Sequence, residues 1–210
     1  MKIDKNKIER RTIDINVPQQ EERAEGDADR RPMIIEGYAV VFDTPQTYRW
    51  GEETYTEIIR RGALDNADMR RVVMRYNHED SVFALARVKN GSLQLTIDDY
   101  GLKMRGELID TQSNRDAYKM VQAGLVDEAS FAFTVAQNGD VWTYADDYKT
   151  VTREITAIET VYDVSVVDTG FYEQTSVYAR AFEGVDALKA EAQAKKLELE
   201  KARALALANR

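Results

Sequence analysis

Between Pro32 and about Arg180 the chain alternates short runs of β-branched, aliphatic and aromatic residues with polar breaks: MIIEGYAVVF, VVMRY, SLQLTI, GLKMRGEL, EASFAFTVA, DVWTYA and ITAIETVYDVSVV. Runs of this length and composition predict strands. The flanks differ from this pattern. From Met1 to Arg31 the chain is polar and charged, and QQEERAEGDADRR has almost nothing to bury against the entropy of ordering, so residues 1–31 are expected to be a mobile arm. At the other end, Leu188, Leu197, Leu199, Leu205 and Leu207 lie among Ala, Lys and Glu with neither Gly nor Pro after Gly184, so 183–210 reads as a protruding helical tail. Residues 32–182 are then the core domain.

Within that core two segments break the strand pattern. The stretch after Thr54 fits either a short helix closed by Gly62 or a strand followed by a turn. A second helix is capped by Asp110 or Thr111, carries Ala117, Met120 and Val121, and ends at Gly124, delivering the chain into EASFAF. Many short strands, mostly adjacent in sequence, with two or three helices predict an α+β, β-rich fold: a closed or nearly closed β-barrel surrounded by a few helices.

Strand periodicity then singles out polar residues. In Glu128 to Ala136, Phe131, Phe133 and Val135 point one way and Ser130, Ala132, Thr134 and Ala136 the other. Ser130 thus sits among small side chains, where an extended peptide could be laid beside the strand; it either serves as a nucleophile there or merely fills a solvated strand face. The same alternation in REITAIETVYDVSVVD puts Ile155, Glu159, Val161, Asp163, Ser165 and Val167 in one phase. Carboxylates inside so apolar a run need partners, either a histidine or structural cations such as Arg87 and Arg153.

Composition narrows the chemistry. The chain has 210 residues, no cysteine and one histidine, His78, in the word YNHED. That excludes disulfides, thiol nucleophiles and thiolate metal sites and leaves no ordinary zinc site, so neither a metal nor a cofactor is expected. A formal net charge of -8 argues against a nucleic-acid reader, which needs a basic face to release counterions. No apolar run approaches the roughly 18 residues of a membrane span, so no membrane partner is expected. His78 itself is either a surface imidazole in a turn or part of a site.

Taken together, YNHED, then GSLQLTIDDYGLKMRGELIDTQSNRDAYKMVQAGLVDEASFAF, then ITAIETVYDVSVVDTG resemble the prohead proteases of tailed bacteriophages, serine endopeptidases related to the herpesvirus assemblins. The likeness starts near Glu36, includes EIIRRGAL and ends near Tyr178. It implies that His78 is a general base for Ser130, with an acid where the herpesvirus relatives use a second histidine. Asp163 matches the family's acidic position, whereas Glu159 lies nearer the place of that second histidine, and the expectation leans to Glu159. Arg87 is a candidate oxyanion donor. Ala132, Ala86 and TGFY depart from the family's usual residues and bear on groove shape rather than proton transfer. The resemblance further implies cleavage, inside the assembling procapsid in the host cytoplasm, of scaffold protein or the scaffold-like arm of the major capsid protein, with trimming of the enzyme's own termini. It leaves homo-oligomerisation open. Two other readings stand beside it: an inactive scaffold-docking relative, and a scaffold subunit assembled through its C-terminal helix.

Overall fold

The computed structural model describes residues 8–14, 32–81, 83–168 and 185–208. Twelve strands are found among them, arranged in three sheets. The largest holds, in spatial order, β1 (Glu9–Asp14), β9 (Glu128–Val135), β12 (Ile158–Val167), β5 (Val73–Tyr76) and β6 (Ala86–Arg87). A second is β10 (Asp140–Tyr144), β11 (Thr150–Ile155), β4 (Glu53–Ile59) and β3 (Gln46–Trp50). The third is β2 (Met33–Val41), β8 (Gly101–Leu108) and β7 (Leu93–Ile97).

The main core lies where the three-stranded sheet covers one face of the five-stranded one. Ile35, Val40, Leu102 and Met104 meet Met74, Phe131, Phe133, Val164 and Val166 there, all essentially inaccessible to solvent. Burial of each such side chain is worth about 1.5–3 kcal/mol. Within the three-stranded sheet β2 and β8 run so close that a Cβ on Gly101 would lie 1.9 Å from the Val40 carbonyl oxygen, which leaves room only for glycine. Helix α1 (Gln112–Gln122) starts at Thr111, whose hydroxyl accepts from the Asn114 N–H, and buries Asn114, Tyr118 and Val121. Asp110 pairs with Arg115 instead of capping. Gly124, at φ +68°, turns the chain toward β9. Helix α2 (Val185–Ala208) forms the C-terminal segment.

Two expectations are settled by these pairings. The barrel is not formed: each sheet is open, with β1 and β6, β10 and β3, and β2 and β7 as unjoined ends. Adjacency of the strand runs in sequence suggested a closed or nearly closed barrel, but β4 pairs in parallel with β11 and β5 in parallel with β12, both partners lying far along the chain. Such long-range parallel pairing partitions the strands among separate sheets instead of closing one. After Thr54 the strand-and-turn alternative forms: β4 runs to Ile59, and Gly62 at φ +87° sits in a turn where Ala63 N–H donates to the Arg60 carbonyl. Of the segment read as an N-terminal arm, Glu9–Asp14 is β1, paired antiparallel with β9. Residues 15–31, and 169–184 with the TGFY departure, lie outside the described residues.

Candidate active site

Ser130 is in β9, flanked by β1 and β12, which makes it one of the most buried polar groups at 1% exposure. The solvated strand face considered for it is therefore not found. On β12, Ser165 is directly opposite Ser130 and Asp163 opposite Ala132, so Asp163, Ser165 and Ser130 project from the same face of the sheet. That alignment depends on irregularities in β12. Its register against β9 shifts between Ile158 and Thr160 and again between Val161 and Asp163. Each shift reverses the alternation. Val161, opposite Phe133, packs in the core, and Asp163, only two residues later, faces the other way.

His78 arrives from β5, which runs parallel to β12 with Ser165 opposite Arg75 and Val166 opposite Tyr76. Directly after Tyr76 the backbone reverses through two left-handed residues, Asn77 at φ 49° and His78 at φ 57°. That region is disfavoured for residues with a Cβ, though Asn and His tolerate it better than most. The turn is held by several bonds. Asn77 N–H donates to the Val166 carbonyl at 3.0 Å, its side-chain amide donates to Asp168 at 3.0 Å, and the Asp168 N–H returns a bond to its Oδ1 at 3.2 Å. The Tyr76 hydroxyl donates to the other Asp168 oxygen at 2.6 Å. Together these fix the turn that aims His78 across β12.

The imidazole bridges the two strands. His78 Nε2 is 2.7 Å from Ser130 Oγ, and Nδ1 is 2.5 Å from Asp163 Oδ1. A carboxylate can only accept, so Nδ1 carries the proton in that contact and the ring is fixed in orientation. The His78 and Asp163 side chains are 6% and 12% exposed, so these bonds act in a medium that screens them little. Ser165, wholly buried, donates its hydroxyl to Asp163 Oδ1 at 2.8 Å and lies 3.2 Å from His78 Nδ1. It was not singled out from sequence, although its spacing of two from Asp163 in the same strand was the signal for it.

Of the four residues singled out, three meet here. Glu159, the acid the expectation leaned to, does not: its side chain is exposed, and its backbone carbonyl accepts from the Asp68 N–H. It falls inside the first register shift of β12, between Ile158 and Thr160, and has no position opposite it on β9. Arg87 is exposed on the edge strand β6, where its N–H donates to Ser92 Oγ. Arg153 is buried in a separate charged cluster with Glu9, Glu57 and Asp140. No group of three or more His, Asp or Glu side chains placed to hold a metal ion occurs among the described residues.

A serine hydroxyl, an imidazole and a carboxylate in hydrogen-bonded series can pass a proton from oxygen to ring while the acid steadies the charge that develops. The caudovirus prohead serine protease family model matches residues 18–189, which takes in all three groups. The chain belongs to this family. It is accordingly a serine protease of phage capsid maturation. No curated protein and no solved structure matches the chain. Strand β1 precedes the stretch matched to the prohead protease family, while β2 to β12 fall within it.

Proposed function

We propose that Ser130 is the nucleophile of this prohead protease, His78 its general base and Asp163 the group that orients and stabilises the imidazole. The observation that carries the assignment is the unbroken contact series of 2.7 Å and 2.5 Å made by the chain's single histidine. As Ser130 Oγ attacks a peptide carbonyl, its proton passes to His78 Nε2. The imidazolium then protonates the leaving amine, and Asp163 stays ionised throughout. The substrates in this reading are scaffold protein and the scaffold-like arm of the major capsid protein, cut inside the assembling procapsid. Core residues 32–182 perform the cleavage, while the 183–210 tail docks onto helical scaffold.

Co-expression with the capsid and scaffold proteins of the same phage tests this directly. Wild type is expected to leave shortened capsid or scaffold chains by mass spectrometry, and Ser130→Ala full-length ones. Full-length chains with both forms would favour the scaffold-docking reading instead.

Ser165 acts here as a positioning residue. Its bond to a charged acceptor is worth about 1.5–3 kcal/mol, so Ser165→Ala should lower kcat roughly 10- to 100-fold with KM nearly unchanged, and Ser165→Thr should restore much of it. A parallel rise in KM would assign Ser165 to substrate binding.

A further inference from the structure

The active-site serine has a third partner besides the imidazole and the strand that carries it. Ser130 Oγ donates to the backbone carbonyl of Arg11 in β1 at 2.9 Å. A hydroxyl has one proton to give, so the Arg11 carbonyl and His78 Nε2 compete for it. β1 lies antiparallel along β9, with Arg11 opposite Phe131 and Thr12 opposite Ser130. An extended segment of the chain therefore lies beside the nucleophile's strand and presents one peptide carbonyl to the nucleophile, as a peptide bound by strand addition would.

The side chains of that segment enter built sites. Arg11, 7% exposed, bonds Glu57 through both Nε and Nη2, the latter at 2.7 Å, and Tyr55 donates its hydroxyl to the same carboxylate at 2.6 Å. Glu9 is held bidentately by Arg153, at 2.7 and 3.0 Å, while Asp140 accepts from the same guanidinium and Trp142 stacks 5.0 Å from it. Burial pushes the Glu57 carboxyl up, but the Arg11 and Arg153 guanidiniums outweigh it and hold it below the ordinary carboxylate range. Arg10, between them, is exposed, and the buried Thr12 hydroxyl has no hydrogen-bond partner. An edge strand needed only to complete a sheet gains more from apolar side chains than from a buried charge cluster, which contributes little net stability and much selectivity.

We propose that the space between β9 and the four-stranded sheet is the substrate cleft, occupied by the chain's own Glu9–Asp14, and that it selects a basic residue before the cut bond through Glu57 and an acidic residue two positions earlier through Arg153. The inference rests on the protease reading and specifies its substrate. β9 supplies the nucleophile and main-chain hydrogen bonds; β4 and β11 supply the side-chain selection. Cleavage then falls between Arg11 and Thr12. The carbonyl tilts to expose its carbon, Ser130 Oγ bonds to that carbon as its proton moves to His78, and the C–N bond breaks as the Thr12 amine takes the proton. Water then bonds to the acyl carbon, giving one proton back through His78 to Oγ, and releases Arg11 as a free carboxyl group.

Intact-mass measurement of the full chain over time is the test. Wild type should lose residues 1–11 and acquire Thr12 as its N-terminus, Ser130→Ala should stay whole, and Arg11→Gln should be cut on the order of 100-fold more slowly or worse. Blocked peptides of sequence ERRTID, supplied to the same wild-type preparation, repeat the comparison without altering the protein. Glutamine in place of the third-position arginine should lower kcat/KM by a similar factor, and glutamine in place of the first-position glutamate by roughly 10-fold. Diisopropyl fluorophosphate separates the two failures. If Ser130 is phosphorylated yet residues 1–11 remain, or the arginine and glutamine peptides are cut within about 3-fold of each other, the selectivity proposal falls and the protease reading survives. No phosphorylation and no cleavage anywhere would remove both.

Discussion

Ser130→Ala and His78→Ala are each expected to reduce peptide hydrolysis by roughly 10⁶-fold in kcat, and the double variant by no more than either alone. The reason is mechanical coupling. Without the imidazole, Ser130 is an ordinary alcohol with no acceptor for its proton beyond a carbonyl; without the hydroxyl, the imidazole has nothing to deprotonate. The 2.7 Å contact between them makes the pair one device, and once either half is gone the other contributes nothing more. Both side chains are small or partly polar and lie at a sheet face, so thermal melts of the variants should stay close to wild type. Costs that add across the two substitutions would mean that they act separately and would overturn the assignment. The assay is single-turnover hydrolysis of a capsid-derived substrate by the full chain.

Asp163→Asn carries the second large effect, roughly 10⁴-fold in kcat. An amide nearly preserves the carboxylate's shape but can donate as well as accept. Facing His78 Nδ1, it can turn its NH₂ group to the ring, which then holds its proton on Nε2 and faces Ser130 with a donor where an acceptor is needed. The Ser165 hydroxyl, which donates to Asp163 Oδ1 at 2.8 Å, competes for whatever acceptor remains. Glu159→Gln is the matched control. Its exposed side chain makes no contact with His78, so activity should stay within about 3-fold of wild type. Reversal of the two outcomes would restore Glu159 as the third group.

Much of the site was legible because the chain is sparing. A single histidine leaves one candidate base, and the alternation of Phe131 and Phe133 with Ser130 in EASFAF places the serine on the face away from the phenylalanines. The acid was not legible by the same means. Alternation is a reliable guide only while a strand is regular, and β12 shifts register twice between Ile158 and Asp163. Strict parity kept Glu159, Val161 and Asp163 in one phase, whereas the folded strand places Val161 in the core and Asp163 beside His78. β1 was hidden for a different reason. ERRTID has little apolar surface of its own and forms a strand because β9 pairs its backbone and Glu57 and Arg153 neutralise its charges.

By itself, then, the sequence picked out β2, β5, β7 to β10 and β12, the helix that leads into β9, and one histidine and one serine as candidate base and nucleophile. The strands and the helix follow from local patterning and the lone histidine from composition, while the coupling of His78 to Ser130 follows from the family resemblance. The tertiary structure alone decided that the sheets stay open, that Asp163 faces the imidazole and that Arg11 lies against the serine. Each of those depends on pairing between segments distant in the chain, where register and bulges are chosen by the whole packed assembly and leave no mark in any one segment.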